Sequence, residues 1–297
     1  MPTRLRDALS SLVDLLFPLH CAGCRRRGAS LCGECARDLG GLHRQRRLLL
    51  PPAPPAYALG GYRGSARRAV LAYKEAGQRH LAAPFGERLA TGLRGIAALH
   101  GWQPAHCLLV PAPSRPIASR RRGGAHMTRV AMRMAEAMAE PTRAPLVSAP
   151  LEAQPSRDHQ LVHKQPKAHL RNAESSDDRW SAEVVDCLVL RPGVRDSAGL
   201  DSAERVRNLT GGVLVRTGRI APETLRRRGD GVRTVLVDDV MTSGATAASC
   251  LRALDSSGMA VDAVLTLTAT AGWDERVVDP APGGARNSRR SALVPRV

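Results

Sequence analysis

The stretch Val235–Thr246, which reads VLVDDVMTSGAT, decides the fold of this chain. Its three leading apolar residues predict a buried parallel strand. Two carboxylates follow at the carboxyl end, and a turn of Thr, Ser and Gly opens a helix over Thr246 to Leu254. Ligands of open α/β sheets bind beyond the carboxyl ends of the strands, and the N–H groups at a helix N-terminus attract anions. The stretch therefore predicts a site for a phosphorylated, hydroxylated small molecule.

Single residues in this stretch support that interpretation. Asp238 and Asp239 suit the hydroxyls of a sugar or, alternatively, a magnesium ion. Gly244 lets the backbone approach a phosphate closely, and the hydroxyls of the turn add hydrogen-bond donors. The stretch has neither a G-K-[ST] nor a G-x-G-x-x-G turn, so it is not one of the commoner phosphate loops. An ordinary buried strand followed by a capped helix remains the alternative.

The stretch resembles the phosphoribosyl pyrophosphate (PRPP) loop of type I phosphoribosyltransferases. The resemblance implies an α/β fold with a twisted, mainly parallel sheet flanked by helices, and PRPP bound together with Mg²⁺. It implies that the two acids take the ribose 2′- and 3′-hydroxyls and that the turn holds the 5′-phosphate. The PRPP-binding residues it implies are Asp238, Asp239, Met241, Thr242, Ser243, Gly244, Ala245 and Thr246.

Two C-x-x-C pairs lie near the N-terminus, separated by seven residues. Pairs this close predict a tetrahedral zinc site with four thiolate ligands, which leaves no open coordination position and indicates a structural role. Metal binding would supply the folding energy that so short a segment cannot obtain from a core. Redox and disulfide chemistry remain alternatives. The predicted ligands are Cys21, Cys24, Cys32 and Cys35.

The order of motifs narrows the resemblance further. Residues Leu12 to Leu39 carry L-L-F-P and both C-x-x-C pairs ahead of the phosphoribosyltransferase-like part, and they resemble the N-terminal zinc module of the ComF family of competence-related proteins. That resemblance implies a PRPP-binding protein that handles or takes up single-stranded DNA during transformation, with a competence helicase as a partner. The alternative is an active phosphoribosyltransferase that moves ribose 5-phosphate from PRPP to a nitrogen nucleophile and releases pyrophosphate.

A second predicted strand, His106 to Val110, ends at Pro111-Ala-Pro113, which resembles the V-P-x-P pattern of type I phosphoribosyltransferases. The resemblance implies that pyrophosphate binds beside this turn and under a mobile basic loop. The arginines assigned to it are Arg115, Arg120, Arg121 and Arg122. Of the family's R-G-x-[ND]-[QH] pattern, His126 fits and Ala125 replaces the polar residue. A proline-terminated strand end and a solvated charge run are the alternatives.

The composition indicates which kinds of partner the protein would bind. The net charge of +17 favours polyanions, with a generally basic surface as the alternative. Only 3% of the residues are aromatic, so contacts to single-stranded DNA would be mainly to phosphates. No apolar run is long enough to span a membrane, and Met1 to Phe17 predicts an amphipathic helix and no signal peptide. A cytoplasmic protein is expected.

The chain divides into three predicted parts. Residues 1–47 form the N-terminal helix and zinc module, residues 56–273 the phosphoribosyltransferase-like domain, and residues 280–297 a disordered basic tail. Residues 141–180 lack periodicity and predict a disordered insertion. Beyond them, Val184 to Leu190 predicts one strand.

Overall fold

The computed structural model describes residues 19–47, 49–103, 106–114, 125–140, 180–191, 212–220 and 231–270, and the backbone of 273–278. The predicted N-terminal helix, the four loop arginines, nearly all of the predicted insertion and the basic tail lie outside these ranges.

Nine strands and five α-helices fall within the described ranges. The strands are β1 (Leu42–Gln45), β2 (Ala56–Gly61), β3 (His106–Pro111), β4 (Ser181–Val184), β5 (Leu188–Leu190), β6 (Val213–Val215), β7 (Arg233–Met241), β8 (Ala263–Ala269) and β9 (Trp273–Val278). The α-helices are α1 (Gly33–Arg37), α2 (Gly64–Lys74), α3 (Ala82–His100), α4 (His126–Ala139) and α5 (Ala245–Ser256).

Seven strands form one sheet in the order β4-β3-β7-β8-β2-β1-β9. The first five run parallel to one another, whereas β1 pairs antiparallel with β2 and with β9. The predicted α/β class, with a mainly parallel sheet flanked by helices, is confirmed. The stretch assigned to the N-terminal module contributes β1 to this sheet, where His43 lies opposite Ala58.

Side chains alternate between two cores because successive residues of a strand point to opposite faces. Leu109 and Val237 pack in the core on the side of α2, α3 and α4. Leu108 and Leu236 pack on the other side with α5 and the β5–β6 pair. β7 lies in the middle of the sheet and is buried on both faces, which is why its apolar residues form an unbroken run.

The single strand predicted over Val184 to Leu190 is wrong. β4 ends at Val184 and extends the large sheet beside β3, whereas β5 pairs with β6 in a separate two-stranded sheet. Val185 and Cys187, in the connection, are buried in the α5-side core. Apolar residues that fill a bend therefore look like strand residues in the sequence. None of the described helices is long and apolar enough to cross a membrane.

Candidate functional site

The two acids lie inside the last part of β7, at the carboxyl edge of the parallel sheet. The strand continues through both of them to Met241, which is buried. Thr242 and Ser243 form the turn that follows, and Gly244 is the N-cap of α5. Ala245 is buried and Thr246 half-buried in the first turn of that helix.

Gly244 is required for two physical reasons. Its φ of 82° lies in the left-handed region that side chains disfavour. A β-carbon there would also lie 2.8 Å from Cγ of Leu50 and 3.1 Å from Cβ of Arg47. The linker after β1 therefore packs against the turn. Arg47 is anchored there by a 2.6 Å hydrogen bond to the carbonyl oxygen of Thr270.

A small concave surface is formed by the end of β7, the turn and the start of α5. The residues that line it are Asp238, Val240, Met241, Thr242, Gly244, Ala245, Thr246, Ala247 and Thr266. Beside it, the enclosed Oγ of Ser243 has no hydrogen-bond partner among the described residues. The first N–H groups of any helix also lack intrahelical partners, so the surface offers donors of the kind that hold a phosphate.

Asp239 is held by a network that reaches two helices. Nζ of Lys74, the last residue of α2, lies 3.0 Å from Oδ2 and 3.2 Å from Oδ1 of this carboxylate. Nε2 of His126, the first residue of α4, lies 2.9 Å from Oδ2. On the other side of the imidazole, Nδ1 is 2.8 Å from Oγ of Ser114, and the Tyr73 hydroxyl donates to the His126 carbonyl oxygen.

The two acids consequently differ in how readily they ionise. Burial opposes ionisation of Asp239, but the Lys74 charge and the His126 hydrogen bond hold its pKa far below the usual range. Asp239 in turn raises the pKa of Lys74. Burial, followed by the charge of Asp239, raises the pKa of Asp238 to about 7. When two adjacent acids repel each other and only one of them is paired with a cation, the pKa of the paired acid falls and the pKa of the other rises.

The Pro111-Ala-Pro113 turn lies at the same edge of the sheet. Ala112 donates its backbone N–H to the carbonyl oxygen of Val237 at 2.8 Å, and Ser114 contacts His126. The predicted pyrophosphate turn and the acids are thus neighbours. Arg115 and the arginines at 120–122 lie outside the described residues, which resume at Ala125, the residue before His126.

Three residues of this network were not assigned a role at the acid pair from the sequence: Lys74, Ser114 and His126. Lys74 carries a compositional signal, because only three of the 44 basic residues are lysines. His126 fits the R-G-x-[ND]-[QH] pattern, but that pattern does not indicate that it contacts Asp239. Ser114 gives no sequence signal that we can identify.

The four cysteines converge, with their sulfur atoms all within 4.8 Å of one another. Sγ of Cys24 and Sγ of Cys32 are 3.6 Å apart. Sulfurs around a tetrahedral zinc at about 2.3 Å would be about 3.8 Å apart, so the donor set fits that ion in number, chemistry and spacing. His20 and His43 are not part of the described cluster.

The surroundings of the thiols favour a thiolate at one of them. Burial alone would raise the pKa of Cys21, but backbone N–H donors, Cys32 first among them, lower it to about 6. Gly23 is needed for space, since a β-carbon there would lie 2.6 Å from Sγ of Cys35. Gly33 begins α1 and has open space around it, so a side chain would fit there.

The cysteine module, by which we mean residues 19–47, is attached to α2, the helix that ends at Lys74. Nε of Arg68 donates to the carbonyl oxygen of Gly23 at 2.5 Å, and the Ser65 hydroxyl donates to the Asp38 carboxylate. A cavity of about 900 Å³ lies between the module and this helix, lined in part by His20, Arg25 and Glu75. The cysteine cluster and the acid pair are therefore connected through a single helix.

Comparison with protein-family models finds no model that matches this chain, and comparison with curated proteins finds no match.

Proposed function

We propose that this chain is a ComF-type, phosphoribosyltransferase-like protein that binds PRPP with Mg²⁺ at the end of β7. The observation that carries the proposal is the placement of Asp238 beside the Thr242–Thr246 turn, at the start of α5 and the carboxyl edge of a parallel sheet. A carboxylate there suits sugar hydroxyls, and a helix N-terminus opened by a left-handed glycine suits a phosphate. Thr242 and Thr246 line the same surface and add hydroxyl donors.

The Pro111-Ala-Pro113 turn provides a place for the pyrophosphate of PRPP. Pro111 to Ser114 lies within hydrogen-bond reach of the network around Asp239, so a ligand that begins at the α5 turn would extend towards it. Arg115 and the arginines at 120–122 are the residues we assign to the pyrophosphate. Mg²⁺ would arrive with PRPP and neutralise its phosphates.

We assign the wider role to the handling of single-stranded DNA, on the basis of the net charge of +17 and the ComF resemblance. In the described module and α2, exposed arginines include Arg25, Arg27 and Arg67, and Arg63, the N-cap of α2, is exposed as well. We assign a structural Zn²⁺ to the four cysteines. Transfer of ribose 5-phosphate to a nitrogen nucleophile remains the second candidate, favoured by the Pro111-Ala-Pro113 turn next to the acid pair, where pyrophosphate would leave.

Two titrations of the full chain test this function. PRPP with Mg²⁺ is titrated into the wild type, the Asp238→Ala/Asp239→Ala double variant and Asp255→Ala, a control that removes an exposed acid from α5. We expect binding to the wild type and the control and its loss in the double variant. Undiminished binding by the double variant contradicts the site assignment.

The second titration uses a single-stranded oligonucleotide at low salt and then at increasing salt. We expect binding that weakens steeply with salt, because phosphate contacts release counterions. No binding at low salt contradicts the DNA role and leaves the transferase as the function of a PRPP-binding chain.

A further inference from the structure

Asp238 and Asp239 are adjacent in one strand, so their side chains leave the sheet on opposite faces. Their neighbours in β7 show the same division, because Leu236 packs in the α5-side core and Val237 in the core on the side of α2 and α4. The contacts of each acid show which of the two faces the turn that begins α5.

Asp239 faces the interior. It is 4% exposed, and both carboxylate oxygens lie within 3.2 Å of Lys74, with His126 at 2.9 Å from one of them. Its backbone carbonyl accepts a hydrogen bond from Thr268 of the neighbouring strand β8. Asp239 is not among the residues that line the concave surface. A ligand hydroxyl would have to displace an ammonium or an imidazole to reach this carboxylate.

Asp238 faces the turn. It is half-buried and lines the concave surface together with Thr242 and Thr246. Its Oδ1 accepts the backbone N–H of Asp239 at 2.8 Å, which orients the carboxylate. A ligand seated on the turn therefore meets this acid and not its neighbour.

We propose that Asp238 alone recognises the hydroxyls of the ligand, and that Asp239 is an internal ion-pair partner that fastens α2 and α4 to the edge of the sheet. This division of roles rests on the proposed function and departs from the resemblance, which assigns both acids to the ribose. Because Lys74 neutralises Asp239 from within the protein, the chain needs no divalent cation at that carboxylate.

The test separates affinity from stability in Asp238→Asn and Asp239→Asn, with PRPP and Mg²⁺ as the probe. For Asp238→Asn we expect affinity to fall about tenfold or more, as for a lost hydrogen bond to a charged group, with a melting temperature no lower than that of the wild type. For Asp239→Asn we expect a lower melting temperature, with affinity at a temperature where it is folded close to that of the wild type, because this side chain faces the interior and not the ligand.

Lys74→Met and Lys74→Arg keep the proposal testable if Asp239→Asn does not fold. Lys74→Met should lower the melting temperature and keep the affinity, and Lys74→Arg should restore most of the stability. A folded Asp239→Asn that loses as much affinity as Asp238→Asn overturns the proposal, as does a Lys74→Met variant that melts with the wild type. If the wild type does not bind PRPP, the proposed function itself fails and the division of roles falls with it.

Discussion

The backbone carbonyl of Asp38 in the cysteine module lies directly over Gly60 of β2, so close that a β-carbon at this position would overlap it. Together with the contacts of Ser65 and Arg68, this approach joins the module to the sheet and to α2. Since α2 also carries Lys74, the same helix contacts both the module and the acid pair.

Gly60→Ala is therefore expected to destabilise the protein. The added methyl meets backbone that cannot rotate away, and overpacking of this kind costs about 1–3 kcal/mol. Chemical denaturation measures the free energy of unfolding. Gly33→Ala in α1, where a β-carbon meets open space, is the matched control and should be close to neutral. Equal stability of the two variants would contradict the described contact.

Gly244→Ala tests the turn. We expect a loss of about 1–2 kcal/mol from the positive φ, further loss from crowding against Leu50, and weaker PRPP binding because the turn shifts. Gly258→Ala, at the end of α5, is the control. Its φ of 80° imposes the same backbone strain with open space around it. If titration calorimetry gives both variants the same affinity for PRPP, the turn is not the phosphate site.

The raised pKa of Asp238 predicts a dependence of stability on pH. Between its ordinary value of 3.8 and about 7, this carboxyl is protonated in the folded state and ionised in the unfolded state. The unfolded state then binds fewer protons, so this contribution to stability is lost as the pH rises through that window. The depressed pKa of Asp239 acts in the opposite sense, with stability lost as the pH falls below its ordinary value of 3.8.

Asp238→Asn removes the first effect. Thermal unfolding of the wild type and this variant between pH 4 and pH 7 should show the variant gaining stability relative to the wild type as the pH rises. Asp255→Asn, which alters an exposed acid of α5, should follow the wild type. Parallel curves for the wild type and Asp238→Asn would show that Asp238 is not the group that titrates.

The cysteine cluster predicts one bound metal ion per chain. Protein produced with zinc should contain about one Zn²⁺ by elemental analysis, and Cys24→Ser should reduce that content and lower the melting temperature. Cys250→Ala, which alters a buried cysteine outside the cluster, should keep the ion. A metal-free wild type with Cys24 and Cys32 oxidised would favour the disulfide alternative.

The strand, turn and helix around the acids could be predicted because several local signals coincide there: an apolar run, paired acids and a glycine turn. The four-cysteine cluster was equally local, since both C-x-x-C pairs fall within 15 residues, from Cys21 to Cys35. In both cases the pattern involves residues that are close together in the sequence, and the structure has the predicted feature at that place.

The partners of Asp239 could not be predicted in the same way. Lys74 and Asp239 are 165 residues apart, and their contact depends on how α2 crosses the edge of the sheet. The alternation of side chains in a strand does place adjacent acids on opposite faces. That consequence is visible only once β7 is known to continue to Met241 instead of ending before the acids.

A crystal structure of the wild type with PRPP and Mg²⁺ tests the central claim most directly. We predict the 5′-phosphate on the backbone of the Thr242–Thr246 turn, a ribose hydroxyl on Asp238, and Asp239 still held by Lys74 and His126. PRPP bound elsewhere, with the turn empty, would contradict the account.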